Sequence, residues 1–270
     1  PLKLALFDKA TGEHRGETLH VMDAAAETLR FDGWNDTPIL SVNREFSAPI
    51  IVETDRTPAE LAFLSAHDDD PFARYEAMQQ LMLDTLVARI GGGTAASAPV
   101  IDAIGATLVD PDLDPAFIGE AVLLPSEAFI GDQMTVVDPE AIAVARETLR
   151  VEIAQTHHAL WQRLYAEHGA RPFEYSPAAK GARRVRNVAL GYLAAADQAD
   201  GARIALAQFE TCDNMTDRMA ALMTLANGTS DERVTALEAF YDRYRDNSLV
   251  IDKWFSTQAL SMRTDTFDAV

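Results

Sequence analysis

Cysteine is nearly absent, with Cys212 the single example in 270 residues, so no internal disulfide is possible and a reducing compartment is implied. Basic residues are also scarce: 23 Lys and Arg stand against 42 Asp and Glu, a formal net charge of -19. Such a surface repels a phosphate backbone, which argues against nucleic acid as a partner. No run of apolar residues approaches the roughly 18 needed to cross a membrane. No segment has the charged-then-apolar layout of a signal peptide. A cytoplasmic protein without membrane contact is therefore expected. The chain starts at Pro1 and not at Met, which suggests a piece of a longer protein.

What is present is globular: 48% hydrophobic residues provide for a real core. Residues 2 to 8 alternate with the period of a half-buried strand, and similar signals recur at Glu17 to Met22, Thr28 to Phe31, Ile39 to Ser41 and Phe46 to Val52. Turns are marked by Asp8 to Gly12 and by Gly33, Asn35 and Asp36. Pro49 places the last strand at an edge or bulge.

The period changes at Thr57. Thr57-Pro58-Ala59-Glu60 is a capping box with proline at the first helical position. Asp70-Pro71 opens a helix that stops at Gly91-Gly92-Gly93, and Ser97, Asp114-Pro115, Asp138-Pro139 and Ser176-Pro177 open others. The helix from Asp138-Pro139 is expected to run to about Glu167. Asp213 or Asn214 caps a helix with Met215, Met219, Leu222, Met223 and Ala226 on one face. Ser230 caps the next, with Leu237, Phe240, Tyr241 and Tyr244, and a third carries Leu249, Val250, Trp254 and Phe255. The expected fold is α+β but mostly α, with a small β region at 1–55 and an all-α domain of packed helical hairpins at 56–270. No fixed-period sequence repeat is visible.

None of the chemical candidates builds a site. His157 and His158 are adjacent and point about 100° apart on a helix, so they cannot chelate one ion together. His168 lies too far along, and His-Glu-x-x-His is absent. Asp110, Asp112 and Asp114 imitate a calcium loop, but Pro115 stands at its glycine position and Ala121 at its glutamate position. Asp114 is better explained as a helix cap, and so is the run Asp68-Asp69-Asp70. Gly91-Gly92-Gly93-Thr94 lacks the Gly-Lys-Ser/Thr of a phosphate loop. Ser126 lacks the glycines of a hydrolase nucleophile and reads as a cap. Arg183, Arg184 and Arg186 are the one compact basic cluster, expected to pair with neighbouring carboxylates. Cys212 is expected to be buried and structural. Catalytic and metal-binding residues are thus expected to be none, and no substrate-binding residue is assigned.

Six separated words carry a resemblance: Glu45-Phe46-Ser47-Ala48-Pro49, Asp70-Pro71-Phe72-Ala73-Arg74-Tyr75-Glu76-Ala77, Leu124-Pro125-Ser126-Glu127, Arg186-Asn187, Asn214-Met215-Thr216-Asp217 and Asp252-Lys253-Trp254-Phe255. In order and spacing the chain resembles the C-terminal portion of bacterial aminopeptidase N, from within the β-sandwich into the helical domain. The resemblance implies a partial β-sandwich at 1–55 and a superhelical, HEAT-like helical domain at 56–270, in a zinc metallopeptidase that removes single residues from peptide N-termini. The family's zinc-binding His-Glu-x-x-His and amine-binding Gly-Ala-Met-Glu-Asn do not occur here, so no catalytic residue carries over. The implication is a non-catalytic part that walls the active-site cavity, with zinc in the parent and none in this chain. Its partners would be the N-terminal catalytic portion and, through it, peptide substrates. An exposed β edge would favour self-association. The alternative is a free-standing helical module that binds proteins.

Overall fold

A computed structural model describes residues 1–34, 36–93, 95–169 and 171–269, with the backbone alone considered at residue 269. Asn35 and Thr94, each part of an expected turn, lie outside the described residues. Strands β1 (Leu2–Phe7), β2 (His14–His20) and β3 (Ile39–Val42) form an antiparallel sheet in the order β2-β1-β3. Leu4 lies opposite Thr18 on one side and Val42 on the other. As the central strand, β1 buries Leu4, Ala5, Leu6 and Phe7, whereas β2 is exposed along nearly all its length.

Two expected strands are not strands. Thr28–Phe31 is irregular. Residues 46–52 curl because Asn43, Glu45 and Phe46 all have positive φ, at 62°, 55° and 52°. Non-glycine residues seldom adopt that region, and here side-chain bonds hold it. The Asn43 Oδ1 accepts from the Ala48 amide at 2.9 Å and from the Ser47 hydroxyl at 3.3 Å, and the Asp70 carboxylate accepts from the Glu45 amide at 3.0 Å.

The helices follow in chain order: α1 (Pro58–His67), α2 (Pro71–Ile90), α3 (Ala98–Val109), α4 (Pro115–Ala121), α5 (Glu127–Asp132), α6 (Pro139–Thr156), α7 (His158–Glu167), α8 (Pro177–Ala196), α9 (Gln198–Thr211), α10 (Met215–Ala226), α11 (Asp231–Tyr244), α12 (Ser248–Ala259) and α13 (Thr266–Ala269). Both halves of the Thr57/Glu60 capping box form. Asp70, Ser126, Ser176 and Asn214 each accept from the amide three residues on. Ser230 makes no such side-chain bond. Asp213 instead accepts from the Phe173 amide at 2.8 Å.

The long helix expected to reach Glu167 is divided at His157, whose φ of -105° and ψ of 23° interrupt it. The new segment brings Trp161 flat against Tyr192 of α8, with ring centroids 4.2 Å apart and planes 6° from parallel. No glycine or proline marks the break.

The chain divides into two compact units, residues 1–113 with 121–149, and residues 114–120 with 150–270. In the first, α1 packs on α2, α3 and β3 around buried Leu61, Leu64, Met78, Leu81, Met82 and Ile104. In the second, α7 to α12 form the stack. Its core gathers Leu190 of α8, Ala205 and Phe209 of α9, Leu222 and Leu225 of α10, and Leu237 and Phe240 of α11. The α12 stripe is only half used: Val250 and Trp254 pack on this core, while Leu249 and Phe255 are exposed. Met223 of α10 is exposed as well, because the expected face was drawn one position too wide.

Close approach of α8 and α9 depends on Gly201. A Cβ there would lie 2.3 Å from the Ala194 Cα, backbone that cannot swing aside. Gly201→Ala is expected to cost about 3 kcal/mol, the upper end of overpacking in a core. Gly191→Ala, on the same pair of helices but with open space around the new methyl, is expected to stabilise by about 0.5–1 kcal/mol through helix propensity. Chemical denaturation of the two variants checks both signs.

Candidate functional site

Two clusters of buried charge stand out, one in each unit. In the first unit, Arg44 is 3% exposed and opens the tight turn Arg44–Phe46. Its Nη1 lies 3.1 Å from Asp68 Oδ1, its Nη2 2.5 Å from Asp69 Oδ1 and its Nε 3.1 Å from Glu17 Oε2. Burial works against the Arg44 charge, but the bond to Asp69 and the charges of Asp68, Asp69 and Asp70 outweigh it and push its pKa up. Burial also pushes the Asp68 carboxyl above its ordinary value, opposed by the Ser41 hydroxyl, the Asp70 amide and Arg44. The run Asp68-Asp69-Asp70 therefore does more than cap a helix. Asp70 caps α2 through the Ala73 amide at 2.8 Å, while its two neighbours hold Arg44.

In the second unit, the carboxylate of Asp217 is the hub. Asn187 Nδ2 donates to its Oδ1 and Asn214 Nδ2 to its Oδ2, both at 2.9 Å, and the Asp217 amide returns a bond to Asn214 Oδ1 at 2.9 Å. The Arg186 Nη1 lies 3.9 Å from Asp217 Oδ2. Gln208 of α9 fills the gap between helices: its Nε2 donates to Asn187 Oδ1 at 2.8 Å and to the Asp217 carbonyl at 3.0 Å, and its Oε1 accepts from Tyr165 Oη at 3.0 Å. Arg186 Nη2 donates to the same Tyr165 oxygen at 3.2 Å. Next to Asp217, buried Arg218 donates to the carbonyls of Cys212 and Phe209 at 2.5 and 3.4 Å and to Tyr244 Oη at 2.8 Å. A cation at the C-terminal end of α9 satisfies carbonyls that the helix leaves unpaired.

The remaining sequence candidates lie apart, each in its own local contacts. Arg184 pairs with Glu120 at 2.5 Å, and Arg183 donates to the Glu174 carbonyl at 3.1 Å with its guanidinium over the Phe173 ring. Asp110 receives Arg74 at 2.9 Å, and Asp114 accepts from the Ala116 amide at 2.7 Å. Burial, joined by the Arg171 charge, holds His168 below its ordinary pKa against the pull of Glu167. Cys212 is buried and unbridged, and burial pushes its thiol upward. His157 and His158 sit at the break between α6 and α7. Arg44, Tyr165, Gln208 and Arg218 were not singled out from sequence. The signal available for Arg218 was its place beside the Asn214–Asp217 word.

A short antiparallel sheet followed by stacked helical hairpins, with buried polar networks, defines an Ig-like module joined to an α-repeat module. The chain belongs to the family described as "domain of unknown function (DUF3458_C) ARM repeats", which matches residues 58–270, and residues 1–55 match the DUF3458 domain of Ig-like fold. It is similar to aminopeptidase N of Caulobacter vibrioides, 34% identical over 95% of this chain and 30% of that protein. Aminopeptidase N of Escherichia coli is 32% identical over 100% of this chain and 32% of its own length. That of Haemophilus influenzae is 28% identical over 96% and 31%. The chain thus spans about a third of the curated relatives it matches and corresponds to the C-terminal portion of the aminopeptidase N family. Among solved structures, Legionella pneumophila aminopeptidase A in complex with aspartic acid shares the fold, with a TM-score of 0.88 at 24% identity over 100% of this chain and 33% of that one.

Among the described residues, no three His, Cys, Asp or Glu side chains converge so as to hold a metal ion. Among the same residues, no helix is long and apolar enough to cross a membrane.

Removing the hub strands its partners. Asp217→Ala leaves the Nδ2 groups of Asn187 and Asn214 without their acceptor and Arg186 without a carboxylate. A loss of about 3 kcal/mol is expected, the scale for breaking a buried charged pair. Urea denaturation, read by the fluorescence of buried Trp161, measures it.

Proposed function

We propose that this chain serves as the non-catalytic C-terminal portion of a cytoplasmic, zinc-dependent aminopeptidase N, walling the active-site cavity and limiting which substrates reach it. The observation that carries this reading is the similarity to three bacterial aminopeptidases N over 95% or more of the chain. The buried networks support it, because a wall must hold its shape, and interlocked polar groups between helices resist shear. A lone, buried cysteine suits a reducing cytoplasm. In this reading the β-sandwich portion is 1–55 and the helical domain 56–270. Chemistry, with zinc lowering the pKa of a bound water, belongs to the N-terminal catalytic portion as the partner. Peptides are the substrates of the assembled enzyme.

The isolated chain is expected to release no anilide from aminoacyl-p-nitroanilides in the presence of added zinc. Stoichiometric zinc together with turnover would overturn the non-catalytic assignment. The wall is tested by placing this chain in E. coli aminopeptidase N instead of its matching portion. Such a chimera is expected to trim an unfolded protein at least tenfold faster than the same protein folded, and equal rates would contradict the wall.

Self-association through the β region belongs to the same proposal. Among the described residues strand β3 is an edge strand of the sheet and half-exposes Leu40, whereas the other edge, β2, carries His14, Arg15 and Glu17 and lies across a register shift between Ala5 and Phe7. Charge and irregularity blunt an edge, so β3 is the side open to strand addition. Sedimentation velocity of the isolated chain is expected to show mass rising with concentration, reduced by Leu40→Lys. A concentration-independent monomer would contradict it.

A further inference from the structure

The loop from α7 to α8 and the first turns of α8 and α10 enclose a cavity of about 170 Å³ in the second unit, with Arg171, Glu174, Arg183, Arg186, Asn214 and Asp217 among its lining. We propose that this cavity binds a small carboxylate through the guanidinium groups of Arg186, Arg183 and Arg171. The inference does not rest on the aminopeptidase reading; it follows from a buried donor that the fold leaves unpaired and from arginines that it answers only in part.

Arg186 is 6% exposed, and its buried Nε–H has no acceptor. Native structures rarely leave a buried donor unpaired without a use for it. Two of its other contacts, the Tyr165 hydroxyl and ring, are neutral, and the Asp217 carboxylate stands off at 3.9 Å. Asp217 itself is already occupied by the two asparagine amides. Arg183 is fixed by one nitrogen on the Glu174 carbonyl and feels the charge of Asp213, and Arg171 makes no hydrogen bond or ion pair among the described residues, only a repulsive charge effect on His168. The contrast with Arg184 is instructive: one residue along, outside the lining, it takes a carboxylate at 2.5 Å. In a chain of net charge -19, the lining itself carries three arginines against two carboxylates, Glu174 and Asp217, a surplus of one positive charge within the cavity wall, with Asp213 acting on Arg183 from beside it. One carboxylate neutralises it, and the planar guanidinium fork matches a carboxylate in two-point contact. A phosphate near neutral pH, at about -1.5 to -2, overshoots. The volume admits a carboxylate with a short substituent. The loop wall is itself anchored, through the Phe173 amide on Asp213 at 2.8 Å.

Calorimetric titration of the intact chain with N-acetylalanine, N-acetylalanine amide and inorganic phosphate tests this. One-to-one saturable binding of N-acetylalanine is expected, with the amide and phosphate at least tenfold weaker. The double variant R171Q/R183Q, which changes side chains at the cavity rim, is expected to weaken N-acetylalanine at least tenfold while its circular dichroism and thermal midpoint stay unchanged. Arg186→Lys, which keeps the charge but loses the fork, is expected to do the same if it folds. Absence of saturable binding, equal affinity for the amide, equal or tighter phosphate, or undiminished binding by R171Q/R183Q would each overturn the proposal.

Discussion

A buried carboxylate must be answered on every side, and the second unit is arranged around that demand at Asp217. Two asparagine amides bind its oxygens, an arginine stands beside it, and its own carbonyl receives Gln208. The four partners come from three places: Asn187 and Arg186 from α8, Gln208 from α9, Asn214 from the cap of α10. Gln208 extends the set to Tyr165 on α7. Apolar contact alone, such as Phe209 against Leu222, tolerates sliding of one helix along another. Directional bonds do not, and leaving one unmade inside a core is costly. The network therefore fixes the register of four helices that the hydrophobic core merely brings together.

The first unit solves a similar problem with opposite charge. Arg44 brings a buried cation to the junction of sheet and helices, and the acidic run before α2 answers it. Asp70 then binds the amide of Glu45 and caps α2 at once. These bonds hold three consecutive-region residues, Asn43, Glu45 and Phe46, at positive φ, a conformation that local preference opposes. Strain in the loop and burial of the arginine are thus paid for by the same few carboxylates.

Much of the helical layout was legible because helix boundaries are written locally. Thr57, Asp70, Ser126, Ser176 and Asn214 each declare a start by a side chain that reaches only three residues ahead. On α8, Val185, Val188, Ala189, Tyr192 and Leu193 have the spacing of one helix face, and all five are buried. What escaped sequence reading depends on partners far along the chain. The segment 46–52 has strand-like residues, but Asn43 and Asp70 dictate its path. His157 interrupts a helix whose local sequence has no breaker, in a place where Trp161 meets Tyr192. Leu249 and Phe255 have core-like spacing, yet the helices beside α12 cover only the Val250 and Trp254 side. The words Arg186-Asn187 and Asn214 to Asp217 were visible as resemblance, but their convergence on one carboxylate through Gln208 is a fact of tertiary structure.

If Asp217 and its partners set helix register, α8, α9 and α10 open as one cooperative unit. Native-state hydrogen exchange of the amides in these helices tests that most directly. The account predicts that their slowest-exchanging amides share one opening free energy and one denaturant dependence. Separate openings, with α10 losing protection well below α8 and α9, would contradict it.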